Sequence, residues 1–293
     1  MSVRHFILVT ATVLAAAGCS GDEAQPSHGP SPVSEDGRVD VGGYELAWRC
    51  VGDGTPTVVL DAGLDTAGST EWSELLPQLA SLHTRVCTYD RAGTGTSDPR
   101  PAGEAPTAAS QASELRELLV GAHIAPPYVL VPHSYAGLVA RVYADRYPDD
   151  VAGFVFEDVS TAWEIDLWRR WDDSPWIDGG QRTDIQETER QVLRAAPLGA
   201  RPTVVVSQDT YSEEGIPGWA GPIFARQQAR LASLGKDVVH VRAEGSGHWI
   251  HRDRPDVMVS AIRVVVEAVR AGTALPGCAD AFARASAATC VPP

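Results

Sequence analysis

The feature that most constrains this chain is an ordered alternation of short apolar runs with longer amphipathic stretches. Thr57–Leu60, Arg85–Tyr89, Tyr128–Val131, Val151–Phe156, Thr203–Val206 and Val238–Val241 each read as a brief buried strand. Between them lie segments with helical spacing, such as Trp72, Leu75, Leu76, Leu79 and Leu82, or Leu115, Leu118 and Leu119. Pro255 opens a last helix reaching Val269. Strands buried on both faces and joined by helices require a mainly parallel sheet, so the fold class is α/β. Ahead of these runs, Tyr44, Leu46, Trp48 and Cys50 alternate with polar neighbours after the turn residues Asp40–Gly43, which predicts an N-terminal hairpin.

The first 36 residues read differently. A positive start is followed by the apolar run Phe6–Ala17, about a dozen residues and shorter than the roughly 20 that a spanning helix needs. Residues 1–19 read as a signal peptide, and Leu14-Ala-Ala-Ala-Gly-Cys19 resembles the lipobox of bacterial lipoproteins, which implies lipidation at Cys19. Residues 20–36 are rich in Ser, Pro, Gly and acids, a composition that cannot offset its ordering entropy, and read as a flexible tether. The expected location is therefore outside the cell, anchored by lipid on the outer face of a bacterial membrane or secreted. Contact with the membrane is expected only through that anchor.

The net charge of −14, from 24 Lys+Arg against 38 Asp+Glu, leaves no basic footprint for nucleic acid. Of five cysteines, setting Cys19 aside leaves four, and export places these in an oxidising setting where pairing is expected. Neither their spacing nor their neighbours suggest a metal site or a cysteine nucleophile.

The chemistry concentrates in Val129-Leu-Val-Pro-His-Ser-Tyr-Ala-Gly137, where Ser134 stands between a buried strand and a helix. A serine placed there can serve as a helix N-cap, or as a nucleophile raised clear of the backbone on a tight turn. Three blocks decide for the second. Tyr89-Asp-Arg-Ala-Gly-Thr-Gly-Thr-Ser-Asp98, the flanks of Ser134, and Ser246-Gly-His-Trp-Ile250 followed by Asp253, Pro255 and Val257 together resemble the α/β-hydrolase superfamily over about Val39–Val269. The chain departs from that pattern at Pro132 and Ala136, where glycines are usual, and at Asp61-Ala-Gly-Leu64, where many members carry His-Gly.

The resemblance implies an α/β-hydrolase fold: a mainly parallel eight-stranded sheet flanked by helices, spanning residues 37–272, with a small helical lid at about 160–198. Residues 273–293 would form a tail. It also implies Ser134 as nucleophile and His248 as general base, because a serine hydroxyl needs an adjacent base near neutral pH. His133 and His251 read as a packing residue and a surface loop residue, and His240 as a solvated residue at an element's end. The third group, which fixes the histidine tautomer, is open between Asp158 and Asp209, with Asp158 favoured because it ends a buried strand directly; Glu157 and Asp184 are weaker candidates. Backbone N–H groups of Leu64 and Tyr135 would form the oxyanion hole. Asp90, Arg91, Gly93 and Gly95 read as structural.

In the superfamily's sheet order the second strand lies beside the fourth, which implies a Cys50–Cys87 disulfide; Cys278–Cys290 would close a loop beyond the last helix. The lid holds Trp163, Trp168, Trp171 and Trp176, a candidate roof for an apolar acyl group. The expected activity is hydrolysis of an ester or related acyl bond of a small, apolar substrate through an acyl-serine, without metal or cofactor. Peptidase or lactonase action on the same triad, or a catalytically silent binding protein at the cell surface, are the alternatives. Dehalogenases and epoxide hydrolases of this fold resemble one another in using Asp at the elbow, and Ser134 argues against both.

Overall fold

A computed structural model describes residues 34–64, 68–103, 105–171, 175–211, 218–283, 285 and 287–292. Cys19, the signal segment and most of the tether lie outside the described residues. The elements in chain order are β1 (Ser34–Asp40), β2 (Glu45–Val51), β3 (Thr57–Asp61), α1 (Leu76–Leu79), β4 (Val86–Tyr89), α2 (Ala108–Gly121) and β5 (Tyr128–Pro132). They continue with α3 (Ala136–Arg146), β6 (Val151–Glu157), α4 (Ala162–Trp171), β7 (Ile177–Asp178), β8 (Gln181–Arg182), α5 (Ile185–Arg194) and β9 (Thr203–Gln208). The last are α6 (Gly221–Ala232), β10 (Val238–Ala243), α7 (Ile250–Asp253), α8 (Pro255–Ala271), α9 (Cys278–Ala281) and β11 (Ala288–Cys290).

Among the described residues, one sheet carries nine strands in the order β1-β2-β4-β3-β5-β6-β9-β10-β11. The run from β4 to β10 is parallel, while β1–β2, β2–β4 and β10–β11 are antiparallel. Two sequence expectations are corrected here. The sheet has nine strands rather than eight, because the tail 273–293 returns over β10 and adds β11 as an antiparallel edge. The tether boundary at 36 is also too late: β1 begins at Ser34 and pairs along its whole length with β2. Ser34, Glu35 and Asp36 are exposed, so this edge strand is held by main-chain pairing and carries no apolar signature to read.

The central strands are fully buried, and their alternating side chains feed two separate cores. Tyr128 and Leu130 of β5 face Leu115, Leu118 and Tyr143 of α2 and α3; Val129 and Val131 face Trp72, Leu75 and the apolar side of α8. The segment Gly68–Leu82 is short 3-10 turns around α1 rather than the single helix its spacing predicts. Pro77 within it has no N–H to donate to a longer helical ladder.

Cys50 and Cys87 are register partners across β2 and β4 and are joined, with Cα atoms 4.0 Å apart. Cys278 and Cys290 are joined as well, linking α9 to β11.

Arg91 ties β7 to the sheet. Its guanidinium contacts Asp61 at 2.7 Å and Asp178 of β7 at 2.9 and 3.0 Å, and donates to the carbonyls of Ala62 and Gly63. All three charged side chains are buried. Asp178→Ala removes the bidentate partner and leaves the buried Arg91 charge with Asp61 and two carbonyls, so a loss of about 3 kcal/mol, the low end for a broken buried pair, is expected. Urea unfolding monitored by tryptophan fluorescence would measure this; a loss below 1 kcal/mol would contradict it. Gly95 (φ +49°) belongs to the same loop: a Cβ there would lie 2.2 Å from the Asp90 carboxylate, which holds the turn through Ser69 and Thr96.

Candidate active site

The parallel strands β3, β5, β6, β9 and β10 end at one edge of the sheet, the place where open α/β sheets carry their ligands. β5 runs directly into α3 through His133, Ser134 and Tyr135, and Ser134 sits in the left-handed region at φ +52°. That conformation is uncommon for a side chain with a Cβ and is retained where the surroundings over-determine it. Those surroundings are identifiable. The His133 N–H donates to the Asp61 carbonyl (2.9 Å), and the Ser134 N–H donates to the Glu157 carbonyl (3.2 Å). The Ser134 carbonyl accepts from Gly137 and Ser160. These bonds carry the sheet pairing past Pro132, which has no N–H of its own, so the proline does not break the turn.

The turn needs small residues, but at other positions than the usual pattern suggests. A Cβ on Gly137 would lie 2.3 Å from that of Val159, and one on Gly63 would lie 3.2 Å from the Ser134 Cβ. Ala136, fully buried, fits without a glycine.

Asp158 directly follows β6, itself at positive φ (+38°). Its Oδ2 lies 2.7 Å from His248 Nδ1 and accepts from Gln208 Nε2 at 2.9 Å, while Oδ1 accepts from the Gln208 N–H at 3.2 Å. Asp209 is engaged elsewhere: it accepts from the Gly245 N–H (3.0 Å) and pairs with Arg242 (3.0 Å), bracing the loop that leads to His248. Asp184 caps α5 through the Glu187 N–H. Of the four acids open from sequence, only Asp158 has its carboxylate on the His248 ring among the described residues.

His248 is linked to the serine turn through the main chain, since His133 Nε2 lies 3.0 Å from the His248 carbonyl and the two rings are 4.6 Å apart between centroids. Tyr135 occupies the N-cap position of α3, at the positive end of that helix's dipole. Leu64 follows Gly63, whose carbonyl is held by Arg91 and whose N–H is held by Glu71 (3.3 Å). The backbone leading to the Leu64 N–H is thus fixed from both sides, a role for Arg91 and Glu71 that spacing alone does not reveal.

Two histidine readings are corrected. His251 is a buried residue, 1% exposed, rather than a surface one: its Nδ1 lies 2.7 Å from Glu157 Oε1, which also accepts its N–H. His240 is also buried, in the interior of β10 rather than at its end, with Nε2 3.1 Å from Ser207 Oγ, and burial pushes its pKa down to about 4.

The segment between β6 and β9, expected to form the lid, comprises α4, the β7–β8 hairpin and α5. Trp163 is half-buried beneath the Arg230 guanidinium (3.9 Å), and Trp176 leans toward Tyr135 (6.0 Å). The side chains of Trp168 and Trp171 lie outside the described residues. On α4, Glu164 is buried, and desolvation, partly opposed by the Thr161 hydrogen bonds, raises its pKa to about 8. A carboxyl whose folded pKa exceeds its unfolded value takes up a proton on folding. Its stabilising contribution is therefore whole below about pH 4.5 and is lost as pH rises toward about 8, at no more than about 1.4 kcal/mol per pH unit. Glu164→Gln should flatten the fall in Tm across that window; an unchanged profile would remove Glu164 as its source.

With the geometry in place, comparison with known proteins defines the class. A family model described as alpha/beta hydrolase fold matches residues 56–200. The solved structure of CarC, a serine hydrolase involved in carbazole degradation, superposes with a TM-score of 0.57 at 17% identity over 80% of this chain and 99% of that one. The chain belongs to the α/β-hydrolase superfamily, and family membership supports a hydrolase. Among relatives, the uncharacterized protein YqjL of Bacillus subtilis is 27% identical over 219 residues, 70% of this chain and 81% of YqjL. The putative carbamate hydrolase RutD of Yersinia enterocolitica is 41% identical over a shorter stretch of 104 residues, 34% of each chain.

Proposed function

We propose that the chain is a serine hydrolase that cleaves an ester or related acyl bond of a small, apolar substrate, with Ser134, His248 and Asp158 as its triad. The observation that carries this reading is the 2.7 Å contact between Asp158 Oδ2 and His248 Nδ1, beside a serine held on a left-handed strand-to-helix turn. Asp158 would hold the imidazole with its hydrogen on Nδ1, leaving Nε2 as the base that takes the Ser134 proton. Ser134 Oγ would attack the acyl carbon, and the N–H groups of Tyr135 and Leu64 would receive the oxyanion. Collapse of that intermediate expels the alcohol with the proton from His248; water then releases the acyl group by the reverse proton transfers.

The preference for an apolar acyl group rests on the tryptophans of the segment after β6; the nearby cavity of about 280 Å³ is walled by Val159, Ala162, Trp163, Val192 and Leu231 together with Arg141 and Arg230, and neither Ser134 nor His248 lines it. Gly137 and Ser160, which hold the Ser134 carbonyl, also line it. The likeness to RutD places carbamates among the acyl bonds worth assaying. Export and lipid anchoring at Cys19 are part of the same proposal, resting on the N-terminal sequence and in keeping with two disulfides in the folded part. No nucleic-acid partner is proposed.

The test is a panel of p-nitrophenyl esters of graded chain length, with matched carbamate, lactone and peptide substrates. Ester turnover with a pre-steady-state burst of p-nitrophenol is the expected result. Hydrolysis of the peptide alone, or no turnover by folded protein, would overturn the ester assignment.

A further inference from the structure

Behind the serine turn lies a second constellation that the proposed chemistry does not use. Glu71, His133 and His251 come from three separate segments and are all buried, and their ligand-capable atoms lie within 4.8 Å of one another. We propose that these three side chains form a binding site for a divalent first-row metal ion of the zinc class.

Each ligand is held from its far side in the manner of a metal site. His133 Nδ1 faces Glu71 Oε1 at 2.7 Å, and its other nitrogen, Nε2, meets the His248 carbonyl at 3.0 Å. His251 is oriented the opposite way: Nδ1 meets the Glu157 carboxylate at 2.7 Å, and Nε2, though buried, has no hydrogen-bond partner among the described residues. Glu71 is anchored through Oε2 to the Gly63 N–H at 3.3 Å. Metal-ligating histidines characteristically give their second ring nitrogen to a carboxylate or a backbone carbonyl, and both partners occur here. The orphaned imidazole nitrogen is the independent sign of a missing partner, since buried polar atoms are nearly always satisfied.

The charge balance fits as well. Each imidazole has a buried carboxylate at hydrogen-bond distance, Glu71 on His133 and Glu157 on His251, both at 2.7 Å. The two carboxylates thus make a buried field that favours positive charge at this spot. Two imidazoles and one carboxylate are the donor set of many zinc centres, with a fourth position left for water. Tetrahedral ligands at 2.0–2.1 Å from zinc lie about 3.3 Å apart, so on binding Glu71 and His133 would separate by roughly half an ångström while the wider pairs, spread over up to 4.8 Å, would draw in. Because His133 also holds the His248 carbonyl, an ion here would brace the serine turn and the histidine loop together without touching substrate.

The experiment reads metal rather than activity, and so stands apart from the ester assignment. The full chain is produced in zinc-supplemented medium, gel-filtered, and its metal content measured. A second sample is refolded from denaturant, disulfides intact, with one equivalent of Co²⁺ and examined for ligand-field absorption. The expected result is close to one metal per chain, a tetrahedral cobalt spectrum, and at least a tenfold loss of bound metal in Glu71→Gln and His251→Gln. If either variant fails to fold, the wild-type cobalt spectrum decides alone. Folded wild-type protein with less than a tenth of an equivalent of metal, no cobalt spectrum, and a Tm unmoved by zinc would overturn the proposal.

Discussion

Asp158→Asn is expected to lower kcat on the best ester substrate by about 10³–10⁴-fold, while Asp209→Asn stays within about threefold of wild type. The two residues end adjacent strands of the sheet and were both open from sequence, but they do different things. The Asp158 carboxylate sits on His248 Nδ1 and is itself fixed by two bonds from Gln208. An amide there can offer its NH₂ to Nδ1, favouring the tautomer that cannot accept the serine proton. Asp209 braces Gly245 and Arg242 at the start of the same loop, so its loss should loosen the loop and leave the tautomer unchanged. The comparison is made by kcat and KM for both variants, with thermal melts to show that each is folded. Equal losses, or the larger loss at Asp209, would reassign the acid.

Ser134→Ala is expected to remove about 10⁵–10⁶-fold of the activity, down to the background left by the oxyanion donors. The same position predicts a stability effect of separate origin. Ser134 lies at φ +52°, and alanine keeps the Cβ that disfavours this conformation, whereas glycine adopts it freely. Ser134→Gly should therefore be as inactive as Ser134→Ala but more stable by about 1 kcal/mol in urea unfolding. Residual turnover above one-hundredth of wild type in both variants would remove Ser134 as the nucleophile. Equal stability of the two would show that the turn stores no such strain.

The parallel core was legible because buried strands and amphipathic helices leave periods of their own; Ser134 and His248 were singled out because each stands in a motif of defined spacing, and their catalytic roles are a proposal. β1 was legible only through the hairpin turn Asp40–Gly43, and its start at Ser34 was not, because its first residues are exposed and polar; β11 was not legible, since it lies in a short segment after the last helix without an apolar pattern. The second constellation was missed for a related reason. His133 and His251 each sit beside a motif residue and look incidental in one dimension, and Glu71 lies 62 positions from its partner His133. Their burial against one another follows from the sheet order, which brings the loop after β3, the serine turn and α7 together. His251 could have been suspected from its place one residue after Ile250, at the buried start of the helix that follows the histidine loop.

The central claim is that the Ser134 hydroxyl is an activated nucleophile within reach of His248. A fluorophosphonate probe followed by peptide mass mapping tests it most directly. Stoichiometric labelling of wild type on the peptide carrying Ser134, absent in Ser134→Ala and strongly slowed in His248→Ala, is the predicted result. Folded wild-type protein that takes up no probe, or takes it up equally after His248→Ala, would contradict it.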